Sequence, residues 1–143
     1  MKIILVRGIP ASGKSTWARQ WAEEDPEHRV RICRDDIRES LGKYWVVSRE
    51  PLVREIKGSM IYHALDYGYD IVIDDMNLNP LDVKFVEKIV QSYPGTTIEF
   101  KDFLDVPLNE CIKRDKDRGE KVGTLVLTSI FNRYENDYNL KRE

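Results

Sequence analysis

The chain has 143 residues, which is enough for one domain and leaves little room for a second. Hydrophobic residues make up 41% and charged residues 34%, a composition typical of a well-solvated globular protein. The 23 Lys and Arg residues and the 25 Asp and Glu residues give a net charge of −2, which excludes coating of nucleic acid through bulk positive charge but leaves room for a local basic groove.

The amino-terminal pattern and the cysteines favour a cytoplasmic protein without membrane contact. The apolar run Ile3–Val6 ends at Arg7 and is too short for a secretory signal. No later stretch approaches the roughly 18 apolar residues that a spanning helix needs. Cys33 and Cys111 are isolated, so we expect neither a disulfide framework nor a zinc site. One domain is expected to cover residues 1–143.

Short β-rich runs alternate with helical segments along the chain. Strands are predicted at Lys2–Arg7, Val30–Cys33, Asp70–Asp74 and Thr96–Phe103. Helices are predicted at Ser15–Glu24, Arg34–Leu41, Pro51–Tyr67, Pro80–Tyr93, Pro107–Asp117 and Thr124–Tyr138. This alternation predicts an α/β fold, a parallel sheet of four to five strands with helices on both faces. Ligands of such sheets bind beyond the carboxyl ends of the strands.

Each of the two longest predicted helices carries apolar residues. The sequence pattern assigns them to one side of the first helix and leaves their packing open in the last. The apolar side of the helix that begins at Pro51 is predicted to contain Val53, Ile56, Met60, Ile61, Ala64 and Leu65. The last helix carries Leu125, Leu127, Ile130, Phe131 and Tyr134, which either pack inward or pair with another chain. The oligomeric state therefore stays open.

The segment Gly8–Ser15, GIPASGKS, matches the phosphate-binding pattern G-x-x-x-x-G-K-[ST] between a predicted strand and a predicted helix. Glycines let backbone N–H groups surround phosphate oxygens, and the helix N-terminus adds partial positive charge. Lys14 is expected to reach the β- and γ-phosphates of ATP or another nucleoside triphosphate, and Ser15 is expected to ligate Mg²⁺. The nucleotide-binding residues predicted in this loop are Gly8, Ala11, Ser12, Gly13, Lys14, Ser15 and Thr16.

Two acidic residues end the apolar strand Ile71–Ile73, where P-loop proteins carry a metal-binding carboxylate. Either Asp74 or Asp75 could serve in the metal shell, and a solvated strand end is the alternative. The guanine-reading pattern Asn-Lys-x-Asp is missing after the fourth predicted strand, which disfavours a GTPase.

A cluster of charges, Arg34–Arg38 or RDDIR, follows the second predicted strand. A kinase needs a carboxylate that accepts the proton of the acceptor hydroxyl, and a guanidinium can hold an acceptor phosphate. Asp35 and Arg38 are one helical turn apart and share a face, whereas Asp36 points elsewhere. A charge pair at a helix start explains the same residues about equally well.

A run of mixed charges between Pro107 and Lys121 indicates a helical, charged lid near residues 107–122. Arg114 and Arg118 are four residues apart and would lie on one helix face. Two such cations can neutralise a phosphoryl group in transfer. The alternative is a solvated helix surface of alternating charges.

These segments together resemble the kinase domain of phage-type 5′-OH polynucleotide kinases, which belong to the adenylate-kinase-like P-loop group. The matching stretches are GIPASGKSTW at Gly8–Trp17, RDDIR at Arg34–Arg38, DMNLNP at Asp75–Pro80, DVP at Asp105–Pro107 and KRDKDRG at Lys113–Gly119. The P-loop alone is generic, but the order and spacing of all five stretches are far more specific.

The resemblance implies roles for matching residues. Asp35 would be the general base for the 5′-hydroxyl, and Arg38 would hold the 3′-phosphate of the terminal nucleotide. Arg118 would contact the transferring phosphate and Arg114 the nucleotide donor. Asp75 and Asn77 would shape the acceptor or metal site, and the residues offered as stacking surfaces for the terminal base are Tyr44, Trp45, Val126 and Leu127.

The expected activity is transfer of the γ-phosphate of ATP to a 5′-OH end of DNA or RNA during nucleic-acid end repair. The best-known phage enzyme also has a phosphatase domain, for which this chain has no room, so we expect a phosphatase or ligase partner to be either separate or absent. Two alternatives remain open: a kinase of a nucleoside, sugar or other metabolite on the same fold, and a noncatalytic nucleotide-binding module.

Overall fold

The computed structural model describes residues 1–138, and a four-stranded parallel sheet runs through its centre in the order β2-β3-β1-β4. The strands are β1 at Lys2–Arg7, β2 at Arg29–Ile32, β3 at Asp70–Ile73 and β4 at Thr97–Asp102. All three pairings are parallel, with Ile3 beside both Ile71 and Ile98. The predicted α/β fold with a parallel sheet is confirmed, with four strands.

Six α-helices and one short 3₁₀ helix connect and follow the strands in the described part of the chain. The helices are α1 at Lys14–Glu23, α2 at Arg34–Ser40, α3 at Glu50–Asp66, α4 at Pro80–Val90, α5 at Leu108–Asp117 and α6 at Thr124–Tyr138. The 3₁₀ helix, Val47–Arg49, lies in the stretch that the sequence left unassigned. Asn79 caps α4 by accepting a hydrogen bond from Leu81 N at 3.0 Å, and Pro80 takes the first helical position, as predicted.

Alternate residues of β1 point to opposite faces of the sheet, and both faces are covered. Ile3 and Leu5 pack with residues of α3 and α4 in the larger core cluster. Ile4 and Val6 pack on the other face with α1 residues, among them Ala18. Because β1 is buried on both faces, it is an unbroken apolar run rather than an alternating one.

A third core cluster lies beyond the carboxyl ends of the strands. It joins Ile9 of the P-loop and Leu78 to Cys111 of α5 and to Leu127 and Phe131 of α6. The inward-packing interpretation of α6 is therefore right for Leu127 and Phe131. Leu125 is 86% exposed instead, because it lies on the opposite side of the helix.

The packing of α3 differs from the prediction at two residues. Met60 is 40% exposed, although the pattern placed it on the buried side. The buried stripe is Val53, Lys57, Ile61 and Leu65, four residues apart at each step, and it includes a lysine that is only 2% exposed. The sequence pattern missed Lys57 because a lysine is almost always assigned to a solvent-facing side.

Candidate active site

The P-loop lies between β1 and α1, and two glycines allow its tight path. A Cβ on Gly8 would lie 2.7 Å from Ser12 Oγ, so a side chain there would disturb the loop. Gly13 caps α1 with a φ of 102°, a conformation that L side chains rarely adopt. Gly8 N also donates to Met76 O at 3.2 Å, which ties the loop to the segment after β3. The loop therefore presents the N-terminus of α1, where N–H groups attract anions.

Lys14 is buried at the centre of this loop. Its ammonium donates to Ile9 O at 2.7 Å. Burial lowers the pKa of Lys14 to about 8, although the nearby Asp74 carboxylate partly raises it. Ser12 Oγ is also buried and has no hydrogen-bond partner within the described residues. A buried cation beside an unpartnered hydroxyl fits the oxygens of a phosphate chain.

Ser15 and Thr16 lie in the first turn of α1, where Ser15 is partly exposed and Thr16 is exposed. Within residues 1–138, no group of three or more His, Cys, Asp or Glu side chains is arranged to hold a metal ion by itself. Ser15 fits a Mg²⁺ site in which the serine hydroxyl and the nucleotide phosphates both supply ligands, which is the usual arrangement in P-loop proteins.

Both acidic residues after β3 are held in ion pairs. Asp74 Oδ2 lies 2.6 Å from Arg31 Nη2. Asp75 Oδ2 lies 2.9 Å from Lys57 Nζ, and Asp75 Oδ1 accepts from Arg34 N at 2.9 Å. Burial would raise the pKa of Asp75, but the Lys57 and Arg34 charges outweigh it and hold the pKa below its usual range. These carboxylates therefore organise the edge of the sheet in the structure.

Asn77 connects the carboxyl ends of the two central strands. It is fully buried and adopts a φ of 52°. Its side-chain amide donates to Val6 O at 2.7 Å and lies 3.1 Å from Ile73 O. Asn77 Oδ1 is buried without a hydrogen-bond partner among the described residues. Asn77 thus shapes the floor on which the P-loop and the segment after β3 meet.

Asp35 and Arg38 lie together on α2, as their spacing predicted. Arg38 Nη1 donates to Asp35 Oδ1 at 2.7 Å. Tyr44 Oη donates to the same oxygen at 2.7 Å. Burial and the Asp35 carboxylate raise the pKa of Tyr44 to about 12, so Tyr44 remains a hydrogen-bond donor at neutral pH. Asp36 is paired separately with Arg31 Nη1 at 2.6 Å, on the side away from Arg38.

The carboxylate of Glu50, at the start of α3, binds the other side of the Arg38 guanidinium. Glu50 accepts from Arg38 Nε at 3.0 Å and from Arg38 Nη2 at 2.6 Å, which is a two-pronged ion pair. Burial would lower the pKa of Arg38, but Glu50 and Asp35 raise it above its ordinary value. The guanidinium also lies 5.3 Å from the ring centroid of Trp45. Arg38 is therefore held in one orientation by three neighbours.

The four candidate stacking residues differ in exposure. Tyr44 is 48% exposed, Trp45 is 51% exposed and Val126 is 50% exposed. Leu127 is completely buried in the α5–α6 cluster, so it offers no surface to a ligand. Of the exposed three, Tyr44 and Trp45 are the ones that touch Asp35 and Arg38.

The predicted lid consists of α5 and the turn that leads to α6. A Cβ on Gly13 would lie 3.5 Å from Arg114 Nη1, so this guanidinium lies over the P-loop. Arg118 follows the last residue of α5 rather than lying within it, and its Nε donates to Asp115 Oδ1 at 3.1 Å. The buried Asp115 also accepts from Gly123 N at 2.8 Å, which links α5 to α6.

Several interactions at this site went unpredicted, among them the ion pairs of Lys57 with Asp75 and of Glu50 with Arg38 and the hydrogen bond from Tyr44 to Asp35. A lysine at the i+4 position of an apolar stripe was the available signal for the first. Tyr44 and Glu50 lie in and just after the segment between α2 and α3, whose path the sequence pattern does not reveal.

A parallel sheet whose first strand leads into a P-loop, with cations gathered over that loop, defines a nucleotide-binding phosphotransferase of the P-loop kinase class. The family model AAA_33, described as an AAA domain, matches residues 3–138, and the chain belongs to this family. The predicted resemblance to polynucleotide-kinase-like P-loop kinases is confirmed, and a kinase-type enzyme is supported. No helix within residues 1–138 combines the length and apolar character needed to cross a membrane.

Among curated proteins, the chain is similar to the L-seryl-tRNA(Sec) kinase of Methanococcus maripaludis. The two are 25% identical over 136 residues, which cover 93% of this chain and 52% of that protein. The chain therefore spans about half the length of this curated relative.

Among solved structures, the chain is similar to parts of the Pnkp1/Rnl/Hen1 RNA repair complex. One match covers 99% of this chain and 46% of the other, with a TM-score of 0.75 and 23% identity. A second structure of the complex matches with 28% identity and a TM-score of 0.65, over 79% of this chain and 39% of the other. The APS kinase CysC of Mycobacterium tuberculosis shares the fold, with a TM-score of 0.62 and 18% identity over 80% of this chain and 68% of the other.

Proposed function

We propose that this protein transfers the γ-phosphoryl group of ATP, or of another nucleoside triphosphate, to the 5′-hydroxyl end of DNA or RNA. The observation that carries the proposal is the pairing of Asp35 with Arg38 at 2.7 Å on α2, beyond the same sheet edge as the P-loop. A carboxylate beside a guanidinium suits an acceptor that has both a hydroxyl and a phosphate. The 28% identity to a chain of the Pnkp1/Rnl/Hen1 complex supports this acceptor class.

On the donor side, the P-loop N–H groups and Lys14 bind the β- and γ-phosphates, and Ser12 donates its free hydroxyl. Arg114 holds the nucleotide from the lid, and Arg118 turns from Asp115 toward the transferring group. Ser15 supplies a ligand for Mg²⁺, which when bound neutralises charge on the phosphates. Placing cations before the reaction begins lowers the cost of the charge that develops in transfer.

On the acceptor side, Asp35 accepts the proton of the 5′-hydroxyl while the hydroxyl oxygen attacks the γ-phosphorus. The bond from the γ-phosphorus to the bridging oxygen breaks, and the nucleoside diphosphate leaves. Arg38 has five N–H donors, of which three bind Glu50 and Asp35, so two remain for the 3′-phosphate of the terminal nucleotide. Trp45 and Tyr44 offer the adjacent aromatic surface for a base, which carries little sequence preference. Asp75 and Asn77 form the floor under both sides.

The decisive experiment offers one protein several acceptors. Purified protein is given radiolabelled ATP with 5′-OH DNA, 5′-OH RNA, free nucleosides and sugars, and the transferred label is counted. We expect label on the oligonucleotides. Asp35→Asn should lower transfer by about 10²- to 10⁴-fold, the usual contribution of a general base, with ATP binding preserved. The neighbouring Asp36→Asn is the matched control, because Asp36 pairs with Arg31 instead.

Other outcomes select the alternatives. Label only on nucleosides or sugars would replace the proposal with a small-molecule kinase, which the fold of the APS kinase also allows. Nucleotide binding without transfer to any acceptor would indicate a noncatalytic module. We propose that a phosphatase or ligase for the remaining repair steps is a separate partner, because the similar solved structures belong to the multi-protein Pnkp1/Rnl/Hen1 RNA repair complex. We also propose that the protein acts in the cytoplasm.

A further inference from the structure

Lys57 is a charged side chain buried in the core side of α3. It is 2% exposed and lies in the same stripe as the apolar Val53 and Ile61, where an aliphatic residue would pack without desolvating a charge. Its ammonium lies 2.9 Å from Asp75 Oδ2 and 5.9 Å from the ring centroid of Phe85. A buried ion pair rarely improves stability over apolar packing, so its presence here calls for another reason.

Asp75 connects Lys57 to the N-terminus of α2. Its Oδ1 accepts from the backbone N–H of Arg34, the first residue of that helix, at 2.9 Å. Its Oδ2 lies 3.2 Å from Arg34 Nε as well as 2.9 Å from Lys57. The residue that follows Arg34 is Asp35. Asp75 therefore anchors the start of the helix that carries the proposed base, and Lys57 anchors Asp75.

Arg34 cannot take over the role of Lys57 without moving. Its Nη2 already lies 3.4 Å from Asp82 Oδ2 of α4, so Arg34 is shared between two carboxylates. Without Lys57, the buried Asp75 would draw Arg34 more strongly toward itself, since an uncompensated buried carboxylate is costly. The first turn of α2 would shift with its arginine, and the proposed base would shift with it.

We propose that Lys57 is a positioning residue: by holding the Asp75 carboxylate against the N-terminus of α2, it sets the place of Asp35 and Arg38 relative to the P-loop. This inference rests on the proposed function for the role of Asp35 and Arg38. Among the hydrogen bonds and ion pairs of residues 1–138, Lys57 reaches Asp75 but not Lys14, Asp35 or Arg38. A displacement of about 1 Å at a reacting group is enough to lower a rate by about 100-fold.

The test compares Lys57→Met with Val53→Ala, a buried substitution in the same stripe of α3 that leaves Asp75 paired. Hydrogen–deuterium exchange follows the amides of Arg34–Ser40, and phosphoryl transfer and ATP binding are measured in parallel. Lys57→Met should speed exchange in the first turn of α2 and lower kcat/KM for the acceptor by about 10-fold or more, with the Kd for ATP within twofold. Val53→Ala should lower Tm without either effect.

Charge rescue separates positioning from simple loss of packing. The double variant Lys57→Met with Asp75→Asn removes both charges, so its exchange at Arg34–Ser40 should be closer to the wild type than that of Lys57→Met alone. Unchanged α2 exchange in folded Lys57→Met, or parallel losses in Lys57→Met and Val53→Ala, would overturn the inference. If Lys57→Met does not fold, Lys57→Gln, which removes the charge beside Asp75 but keeps a polar donor, is read by the same two criteria with a smaller expected increase in exchange.

The exchange measurement does not depend on any acceptor. A wild-type protein that phosphorylates no oligonucleotide would contradict the proposed function, while faster α2 exchange in Lys57→Met would still support the anchoring role. Transfer to oligonucleotides with unaffected exchange and kcat/KM in Lys57→Met would contradict the inference alone.

Discussion

The donor and acceptor sides of the site are built in different ways. The donor side is one continuous loop, Gly8–Ser15, whose backbone path depends on its own glycines and whose buried Lys14 bonds to a carbonyl of the same loop. The acceptor side is assembled from side chains of α2, α3 and the loop between them, through Glu50 and Tyr44. The donor side is therefore preorganised to bind an anion, whereas Asp35 and Arg38 on the acceptor side already bind other side chains of the protein.

The largest expected effect lies on the donor side. Lys14→Met should lower phosphoryl transfer by about 100-fold or more, since it removes a preplaced cation from the transferring phosphates. The same change should raise Tm in the absence of nucleotide, because a buried ammonium is lost. Activity assays and thermal unfolding check both results. A parallel fall in activity and Tm would contradict this view of the loop.

The next effect is expected at the acceptor side. Arg38→Lys keeps the charge but loses the two-pronged geometry with Glu50, so kcat/KM for the oligonucleotide should fall by about 10- to 100-fold. The Kd for ATP should stay unchanged. Steady-state kinetics with varied acceptor provide the measurement, and Arg19→Lys on the exposed side of α1 is the control. An equal loss of affinity for ATP and of kcat/KM for the oligonucleotide would show that the donor and acceptor sides are coupled.

A smaller effect is expected at Tyr44. Its hydroxyl occupies the Asp35 oxygen that the acceptor hydroxyl needs, so Tyr44→Phe should lower the acceptor KM by about 2- to 10-fold, the worth of one hydrogen bond. The value of kcat should change little. Tyr67→Phe, at a side chain that is 82% exposed, serves as the control. A raised KM would mean that the Tyr44 hydroxyl binds the acceptor instead of competing with the acceptor hydroxyl for Asp35.

The smallest effect is a pH dependence. Lys14 has a pKa of about 8 without ligand, below its ordinary value, so near pH 8 part of the population is neutral. Nucleotide phosphates favour the charged form, so binding of the preformed Mg²⁺–ADP complex at pH 8 should take up a fraction of a proton. Calorimetry in buffers of different ionisation enthalpy measures this uptake. It should shrink at pH 6, where Lys14 is already charged, and should disappear in Lys14→Met.

The same shift predicts how stability changes with pH. A lysine whose pKa is lowered by folding opposes folding while it is charged. Its unfavourable contribution is full below about pH 8 and diminishes as the pH rises toward the ordinary value of 10.5. The difference in Tm between Lys14→Met and the wild type should therefore be larger at pH 7 than at pH 9.5.

Local sequence patterns predicted the strands, most helix bounds and the P-loop because each depends on residues close in the chain. The start of α4 at Pro80 and the spacing of Asp35 and Arg38 are of this kind. The predicted second strand, Val30–Cys33, is shifted by one residue from the observed Arg29–Ile32, because Cys33 is apolar but serves as the cap residue of α2. The role of the acidic pair after β3 was less predictable, since Asp74 and Asp75 are engaged by residues from other elements.

The sequence by itself determined the fold class and the phosphate-binding loop, since apolar periodicity and glycine placement act over a few residues. Only the tertiary structure decided which charges pair between segments that are distant in the sequence. Arg38 meets Glu50 across 12 residues of sequence, Arg34 meets Asp75 across 41 and Arg31 meets Asp74 across 43. Such pairs form where the sheet edge brings distant segments together and burial makes an unpaired charge costly, and neither condition is visible in a local pattern.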